Sequence, residues 1–251
     1  MKNCKTKILC TLGPASCEVE TLHKMAEAGM DAVRLNFSHG TATEHLNFYR
    51  NVRKVERLIG KAIAVVQDLQ GPRIRIGQLP KPVAVKSGDR VVLTTGEPGG
   101  SVAAIPVTYA DMHKDVKDGD RILIADGAIE LCVQSVKGNE IVCRAEQGGP
   151  ISSNKGINLP GVNVSADTLT PKDLADIQVG LEMGVDWMAV SFVRDAADIE
   201  AAKDRLGKKA GQVGIIAKIE REEAVHNLEE IVAAADGVMV ARGDLGVELP
   251  L

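Results

Sequence analysis

Two pairs of oppositely charged residues lie at the ends of two apolar runs late in the sequence. Lys218 and Glu220 end the run GIIAKIE. Arg242 and Asp244 end the run GVMVARGD. Side chains two residues apart on a β-strand point to the same face, so we expect each pair to share one face. Two neighbouring parallel strands would place these charges at one rim, which suits a divalent metal ion with a phosphorylated anion beside it.

Alternating apolar and amphipathic segments are predicted to position these residues. Six apolar runs have strand character: KILCTLG, DAVRLNF, AIAVVQD, DWMAVSF, GIIAKIE and GVMVARGD. Residues typical of helix caps and helix ends lie between most of these runs: Ser16, Thr170, Asp195, Gly29, Gly60 and Gly184. Repeated βα units with apolar strands predict a parallel sheet.

Such a sheet belongs either to an open doubly wound domain or to a TIM-type (β/α)8 barrel. Polar residues at the carboxyl ends of at least five successive strands favour the barrel, because TIM-barrel active sites form at that rim. Only about six of the eight strands of a closed barrel are present. We therefore predict an α/β protein with an incomplete TIM-type (β/α)8 barrel.

A different pattern begins at about Gln70. Short β-branched runs are separated by SGD, KDGD, ADG and KGN turns, and no helix-length stretch occurs until about residue 167. This pattern is typical of antiparallel β-structure. We predict that residues 70–166 form an inserted small all-β barrel domain, and that residues 1–69 and 167–251 form the partial barrel.

Composition narrows the class of protein. The 251 residues are 45% hydrophobic and carry a formal charge of −4, without an acidic or basic tail. Nucleic acid and membranes are therefore not expected as partners. The first apolar run is too short for a signal peptide or a membrane span. The five cysteines lack metal-ligand spacing, and we expect reduced thiols in the cytoplasm.

The motifs of the chain resemble those of the pyruvate kinase family over its whole length. They are RLNFSHG (34–40), DLQGPRIRIG (68–77), ADG (125–127), GGPISSNKGINLPG (148–161), AVSFVR (189–194), IAKIEREEAVHNLEEI (216–231) and MVARGDLG (239–246). The resemblance implies a glycolytic transfer of the phosphoryl group of phosphoenolpyruvate to ADP, giving pyruvate and ATP. The predicted insert corresponds to the family's B domain.

The resemblance also implies catalytic roles. Glu220 and Asp244 would hold Mg²⁺ or Mn²⁺. Lys218 would stabilise the phosphoryl group in transfer, and Arg34 would contact it. Backbone N–H groups around Gly243 and Asp244 would bind the substrate carboxylate. The alternatives are that Lys218 is a solvated rim charge and that the two carboxylates cap the following helices.

Two further residue sets follow from the resemblance. The nucleotide side would be formed by Asn36, His39, Arg75 and Lys155. A monovalent-cation site would be formed by Asn36, Ser38, Asp68 and the backbone carbonyl of Leu69.

Arg73 departs from the family pattern. Potassium-dependent members have Glu in the corresponding GPEIR-type motif, whereas this chain reads GPRIR. A guanidinium near Asp68 would supply the positive charge that K⁺ otherwise brings. We therefore expect K⁺ not to be required.

The sequence stops at ELPL, shortly after the sixth predicted strand. Members of the family continue with two more barrel strands and a C-terminal regulatory domain, and they form homotetramers. We expect this chain alone to be inactive or weakly active. The alternatives are a Mg²⁺-dependent lyase that stabilises a pyruvate enolate on a related barrel, and a non-catalytic fragment. The nucleotide-facing residues distinguish a kinase from a lyase.

Overall fold

The protein is described by a computed structural model that covers residues 5–96 and 104–249. The strands and helices follow in chain order as β1 (Leu9–Thr11), α1 (Val19–Glu27), β2 (Ala32–Asn36), α2 (Ala42–Ile59), β3 (Ala64–Asp68), β4 (Val83–Val85), β5 (Arg90–Thr94), β6 (Ile105–Pro106), α3 (Met112–Asp115), β7 (Arg121–Ile124), β8 (Ile129–Lys137), β9 (Glu140–Gln147), β10 (Gly149–Ile151), β11 (Ile157–Asn158), α4 (Pro171–Met183), β12 (Trp187–Val190), α5 (Ala196–Leu206), β13 (Gly214–Ile219), α6 (Glu222–His226), α7 (Leu228–Ala234), β14 (Gly237–Val240) and α8 (Arg242–Glu248).

The described residues divide into two compact units. The α/β unit consists of residues 5–71, 168–219 and 227–239. The β unit consists of residues 72–96, 104–167, 220–226 and 240–249. The β unit therefore includes the two segments that follow β13 and β14, in addition to the stretch between β3 and α4.

The α/β unit is organised by one six-stranded sheet in the order β1-β2-β3-β12-β13-β14. The pairs from β1 through β13 are parallel, which confirms the predicted parallel sheet. The spatial order of the strands follows their order in the chain without reversal. A doubly wound sheet reverses direction at its switch point, so the order indicates the α/β barrel class.

The ends of α4 agree with the sequence signals. The Thr170 hydroxyl accepts a hydrogen bond from the Asp173 backbone N–H, and the Asp173 carboxylate accepts one from the Thr170 N–H. Pro171 is the first helical residue, and Gly184 ends the helix in the left-handed conformation with φ 77°. These groups satisfy the backbone donors and acceptors that every helix end leaves unpaired.

The prediction that Ser16 caps α1 is wrong. The Ser16 hydroxyl oxygen accepts a hydrogen bond from the backbone N–H of Gly13 at 3.1 Å and therefore closes the preceding turn. Glu18 occupies the N-cap position of α1 and makes no side-chain capping bond. A serine can bond either to a turn or to a helix start, and the sequence alone does not distinguish the two.

The prediction that Arg242 and Asp244 share one face of a strand is also wrong. Strand β14 ends at Val240, and α8 begins at Arg242. Residues two apart on an α-helix are rotated by about 200°, so the two side chains point in nearly opposite directions.

The β unit contains a six-stranded sheet in the order β11-β7-β8-β9-β5-β6 and a two-stranded sheet formed by β10 and β4. All strand pairs given for these sheets are antiparallel except β5 and β6, so the expected antiparallel structure is largely confirmed. The core is aliphatic and includes Ile76, Leu93, Ile122, Ile124, Leu131 and Ile141. The single turn of helix α3 is the one helical segment between residues 104 and 167.

None of the helices among the described residues is both long enough and apolar enough to cross a membrane.

The four described cysteines form no disulfide, and Cys17 and Cys143 are buried. Burial raises the pKa of both buried thiols, that of Cys143 to about 12. Such thiols are structural rather than reactive groups.

The chain leaves the α/β unit through a tightly packed turn at Gly71. The backbone N–H groups of Gln70 and Gly71 both donate to the buried Asp173 carboxylate, at 2.9 and 3.1 Å. Gly71 has φ +66°, and a Cβ atom there would lie 2.9 Å from Phe192 and 3.0 Å from the Cβ of Ser191. The position therefore requires glycine for conformation and for space.

We predict that Gly71→Ala lowers the free energy of unfolding by about 1–3 kcal/mol more than Gly60→Ala, because only the first substitution crowds its neighbours. Gly60 is the matched control, since its φ of +64° is nearly the same and nothing lies within 4 Å of its added Cβ. Urea unfolding of both variants measures the difference. Equal losses would show that backbone conformation alone explains the glycine at position 71.

Candidate functional site

The candidate site of the α/β unit is built around the carboxylate of Asp68. Parallel pairing places Asp68 opposite Asn36 of β2 and opposite Ala189 of β12. Asp68 is the last residue of β3 and is only 1% exposed. A buried carboxylate must be balanced by cations or hydrogen bonds, so its neighbours are constrained.

Two cations meet this carboxylate. The Nε atom of Arg34 donates to Oδ2 of Asp68 at 2.6 Å, and the Nη2 atom of Arg34 also pairs with Oδ2. The Nζ atom of Lys218 lies 3.2 Å from Oδ1 of the same carboxylate. Arg34 and Lys218 therefore share the buried Asp68 carboxylate as a counter-charge. The structure thus brings together the two residues predicted to contact the phosphoryl group.

Ser191 is a member of this cluster that was not predicted from the sequence. Its hydroxyl accepts a hydrogen bond from Lys218 Nζ at 2.6 Å and donates to the carbonyl oxygen of Leu69 at 2.8 Å. The register of β12 against β13 pairs Val190 with Ala217, which places Ser191 level with Lys218. The sequence feature that could have identified Ser191 is its position at the carboxyl end of a predicted strand.

The predicted monovalent-cation ligands lie in the same region of the α/β unit. Asn36 ends β2, and its side-chain oxygen accepts a hydrogen bond from the Ser38 backbone N–H at 3.1 Å. Asp68 and the carbonyl of Leu69 follow on the adjacent strand. These oxygens already accept hydrogen bonds or pair with cations of the protein, with Ser191 bonded to Leu69 and Arg34 bonded to Asp68.

His39 is the nucleotide-side candidate that lies in the turn after β2, and it is exposed. Its carbonyl oxygen accepts a hydrogen bond from Nε2 of His45 at 2.8 Å. His45 is buried and stacks on Phe37 with ring centroids 4.1 Å apart, and burial lowers its pKa. His45 therefore has a structural role.

The predicted magnesium ligands are Glu220 and Asp244. Glu220 directly follows β13 and is 2% exposed. Asp244 is exposed and, like Gly243, lies in the first turn of α8. Among the described residues, no group of three or more His, Cys, Asp or Glu side chains has the arrangement of a metal site. The donor chemistry of the two residues suits Mg²⁺, which is commonly held by one or two carboxylates together with substrate phosphates and water.

Two other predicted site residues lie side by side in the β unit. Arg75 forms a β-bridge with Gly156, and the Lys155 carbonyl accepts a hydrogen bond from the Ile76 N–H at 2.9 Å. The Arg75 side chain is half-buried, whereas Lys155 is exposed. Arg73, two residues earlier, is also half-buried. Arg75 and Lys155 therefore lie on adjacent segments of the β unit.

Sequence reasoning also missed an ionic cluster at the start of α5. Asp198 is buried and receives hydrogen bonds from the Arg194 guanidinium at 3.0 and 3.1 Å and from the Thr168 hydroxyl at 2.6 Å. Burial by itself would raise the pKa of Asp198, but the bonds from Arg194 and Thr168 outweigh it and lower the pKa. The cluster ties Thr168, where the chain re-enters the α/β unit, to α5.

The fold and the cluster around Asp68 define an α/β-barrel protein with a cationic site at the carboxyl ends of its strands. The family model described as pyruvate kinase, barrel domain, matches residues 3–251. The chain belongs to the pyruvate kinase family.

Three similar proteins illustrate the relationship. Pyruvate kinases of Mycobacterium intracellulare, Corynebacterium glutamicum and Thermococcus litoralis are 46%, 44% and 45% identical to this chain over 246, 248 and 248 residues. Each comparison covers 98% of this chain and 52% of the relative. The chain thus spans about half the length of these curated relatives.

We predict that Asp68→Asn lowers the free energy of unfolding by about 3 kcal/mol, because it leaves two clustered cations without their counter-charge. The control is Glu20→Gln, which breaks the exposed pair with Lys24 on α1 and should cost about 0.3–0.5 kcal/mol. Chemical denaturation at pH 7 measures both. Similar losses in the two variants would contradict the central role given to Asp68.

A pH dependence follows from the lowered pKa of Asp198. The folded protein binds a proton at this group less readily than the unfolded chain, so the group stabilises the fold at neutral pH. We expect Asp198→Asn to cost about 2 kcal/mol at pH 7. The difference from the unsubstituted protein should shrink as the pH falls below about 4, the unfolded value. Denaturation between pH 3 and pH 7 tests this, with the exposed Asp204→Asn on α5 as the control.

Proposed function

We propose that this chain carries the catalytic residues for transfer of the phosphoryl group from phosphoenolpyruvate to ADP, giving pyruvate and ATP. The observation that carries the proposal is the cluster in the α/β unit in which Arg34 and Lys218 both pair with the buried Asp68 carboxylate. Phosphoryl transfer depends mainly on positioning and on stabilising negative charge, and this cluster presents two fixed cations for that purpose.

Lys218 and Arg34 have distinct tasks in the proposed reaction. The bond between phosphorus and the enol oxygen breaks while a bond to the terminal oxygen of ADP forms. The Lys218 ammonium stabilises the charge on the transferring group, and the Arg34 guanidinium orients it. Ser191 and Asp68 restrict the position of the ammonium group, so little reorganisation is needed during transfer. The enolate that is released then takes up a proton at carbon to become pyruvate.

Glu220 and Asp244 are proposed as the protein ligands of Mg²⁺ or Mn²⁺. The bound ion would neutralise charge on the phosphoryl and enolate oxygens. Gly243 and Asp244 are proposed to bind the substrate carboxylate through their backbone N–H groups. Support for these roles comes from membership of the family and from the match of the motifs IAKIE and ARGDLG.

The β unit is proposed to supply nucleotide contacts. Arg75 and Lys155 lie on adjacent segments of that unit, which suits binding of a polyphosphate. Asn36 and His39 of the α/β unit are also proposed as nucleotide contacts. A pyruvate-enolate lyase would need no nucleotide contacts, so this pair favours the kinase. We also propose that residues 70–166 form a small all-β barrel domain inserted in the (β/α) barrel. The enzyme is proposed to be a homotetramer located in the cytoplasm.

The proposed function is tested by substituting Lys218. Lys218→Met should lower phosphoenolpyruvate-dependent ATP formation by about 10²–10³-fold, because it removes a fixed cation from the transferring group. Lys24→Met on the exposed face of α1 is the matched control and should leave the rate unchanged. A coupled steady-state assay measures both. Turnover unaffected by Lys218→Met would overturn the proposed role, and ADP-independent consumption of phosphoenolpyruvate would favour other chemistry.

The requirement for K⁺ is a separate prediction. Arg73 brings a guanidinium where potassium-dependent members have Glu, and Asp68 is already paired with two protein cations. We expect turnover to persist when K⁺ is replaced by tetramethylammonium. We expect Arg73→Glu to make turnover depend on K⁺. Collapse of the unsubstituted enzyme in tetramethylammonium would contradict the prediction.

A further inference from the structure

The segments that carry Glu220 and Asp244 are both bonded to one short stretch of the β unit, residues 158–162, here called the anchor stretch. It begins in β11 and follows the predicted nucleotide contact Lys155 by only a few residues. Neither bond is expected from the motifs of the sequence, because the partners lie 59 and 90 residues apart.

The first bond is made by Arg221, the residue next to Glu220. Its guanidinium donates to the carbonyl oxygen of Val162 at 2.8 Å and to both carboxylate oxygens of Glu223 at 3.0 and 3.1 Å. Arg221 is only 7% exposed, so these bonds form largely out of water. A charged donor fixed at three acceptors restricts the backbone that carries it, and hence the position of Glu220.

The second bond is made by Glu248, four residues after Asp244 on α8. Its Oε1 atom accepts a hydrogen bond from Asn158 Nδ2 at 3.2 Å, and the side chain is 8% exposed. Residues four apart lie on the same face of a helix, so this bond restrains the face of α8 that carries Asp244.

The charged groups near Glu248 have opposing effects. Burial raises the pKa of Glu248, the Asn158 bond and the charge of Arg221 act in the opposite direction, and Glu222 and Glu223 raise it further. Its Oε2 atom is buried without a hydrogen-bond partner. A buried carboxylate in this setting is costly, which is expected of a group retained for position rather than for stability.

We propose that Arg221 and Glu248 are positioning residues that set the geometry of the two magnesium ligands by fixing both to the anchor stretch. The inference rests on the proposed function, because it takes Glu220 and Asp244 as the ligands. Groups that orient metal ligands commonly change metal affinity 10- to 100-fold when they are removed.

If charge alone mattered, removing the positive charge of Arg221 and removing the negative charge of Glu248 would change metal affinity in opposite directions. Arg221→Met removes a cation beside the metal site, so charge alone would strengthen metal binding. Loss of positioning would weaken it. Glu248→Ala removes both charge and hydrogen bond, whereas Glu248→Gln removes the charge and keeps an oxygen that accepts the Asn158 bond.

The test is Mn²⁺ binding to the protein, measured by electron paramagnetic resonance without substrate or nucleotide. We expect Arg221→Met and Glu248→Ala to raise the Mn²⁺ dissociation constant about tenfold, and Glu248→Gln to stay within about twofold of the unsubstituted protein. The matched controls are Arg121→Met and Glu130→Ala, which break another arginine–glutamate pair of the β unit and should leave Mn²⁺ affinity unchanged.

Each outcome has a definite meaning. Unchanged or tighter binding in Arg221→Met would overturn the positioning role, and equal weakening in Glu248→Gln and Glu248→Ala would show that charge is responsible. If Glu220→Gln leaves Mn²⁺ affinity unchanged, the assigned ligand is wrong and the proposed function fails with it. A normal response to Glu220→Gln with unaffected Arg221 and Glu248 variants would overturn this inference alone.

Discussion

The buried Asp68 carboxylate is the constraint on which the arrangement of the α/β unit depends. It must be balanced where it lies, and the balancing cations come from β2 on one side and from β13 on the other. Lys218 reaches Asp68 across the intervening strand β12, whose following residue Ser191 accepts its hydrogen bond. The same carboxylate therefore fixes the side chains of residues that are far apart in sequence.

This arrangement depends on strand register. Side chains alternate between the two faces of a sheet, so a shift of one residue between β2 and β3 would move Arg34 away from Asp68. The observed pairing of Asn36 with Asp68 prevents this. The stability of the fold and the proposed chemistry therefore both require the same register between β2 and β3. A cation pair held by a buried anion also costs folding free energy, which the aliphatic strands on both sides offset.

Features determined by local chemistry were predictable from the sequence. The capping residues of α4, the glycine at its end and the apolar runs of the parallel strands all follow from short-range rules, and they agree with the structure. The sequence analysis placed Arg34 and Lys218 at the phosphoryl group and Asp68 at a monovalent-cation site, and the structure pairs all three in one cluster. The prediction that Arg242 and Asp244 share one face failed, because the chain forms helix α8 and not a strand at these residues. Spacing predicts a shared face only where the type of element is already known.

Features determined by distant contacts were not predictable. The sequence places Ser191 at the end of a strand, but its bond to Lys218 depends on the register of β12 against β13, which no local pattern specifies. Thr168 and Asp198 lie 30 residues apart, and their bond follows from packing alone. The membership of residues 220–226 and 240–249 in the β unit is of the same kind.

The bonds between the anchor stretch and the residues after β13 and β14 have a consequence for biosynthesis. Glu248 is 90 residues downstream of Asn158. At about 5–20 residues per second, the ribosome adds this partner roughly 5–18 seconds after Asn158. Throughout that interval the bond between Asn158 and Glu248 cannot form. The final geometry of the proposed metal ligands is therefore among the last features of this part of the chain to form during translation.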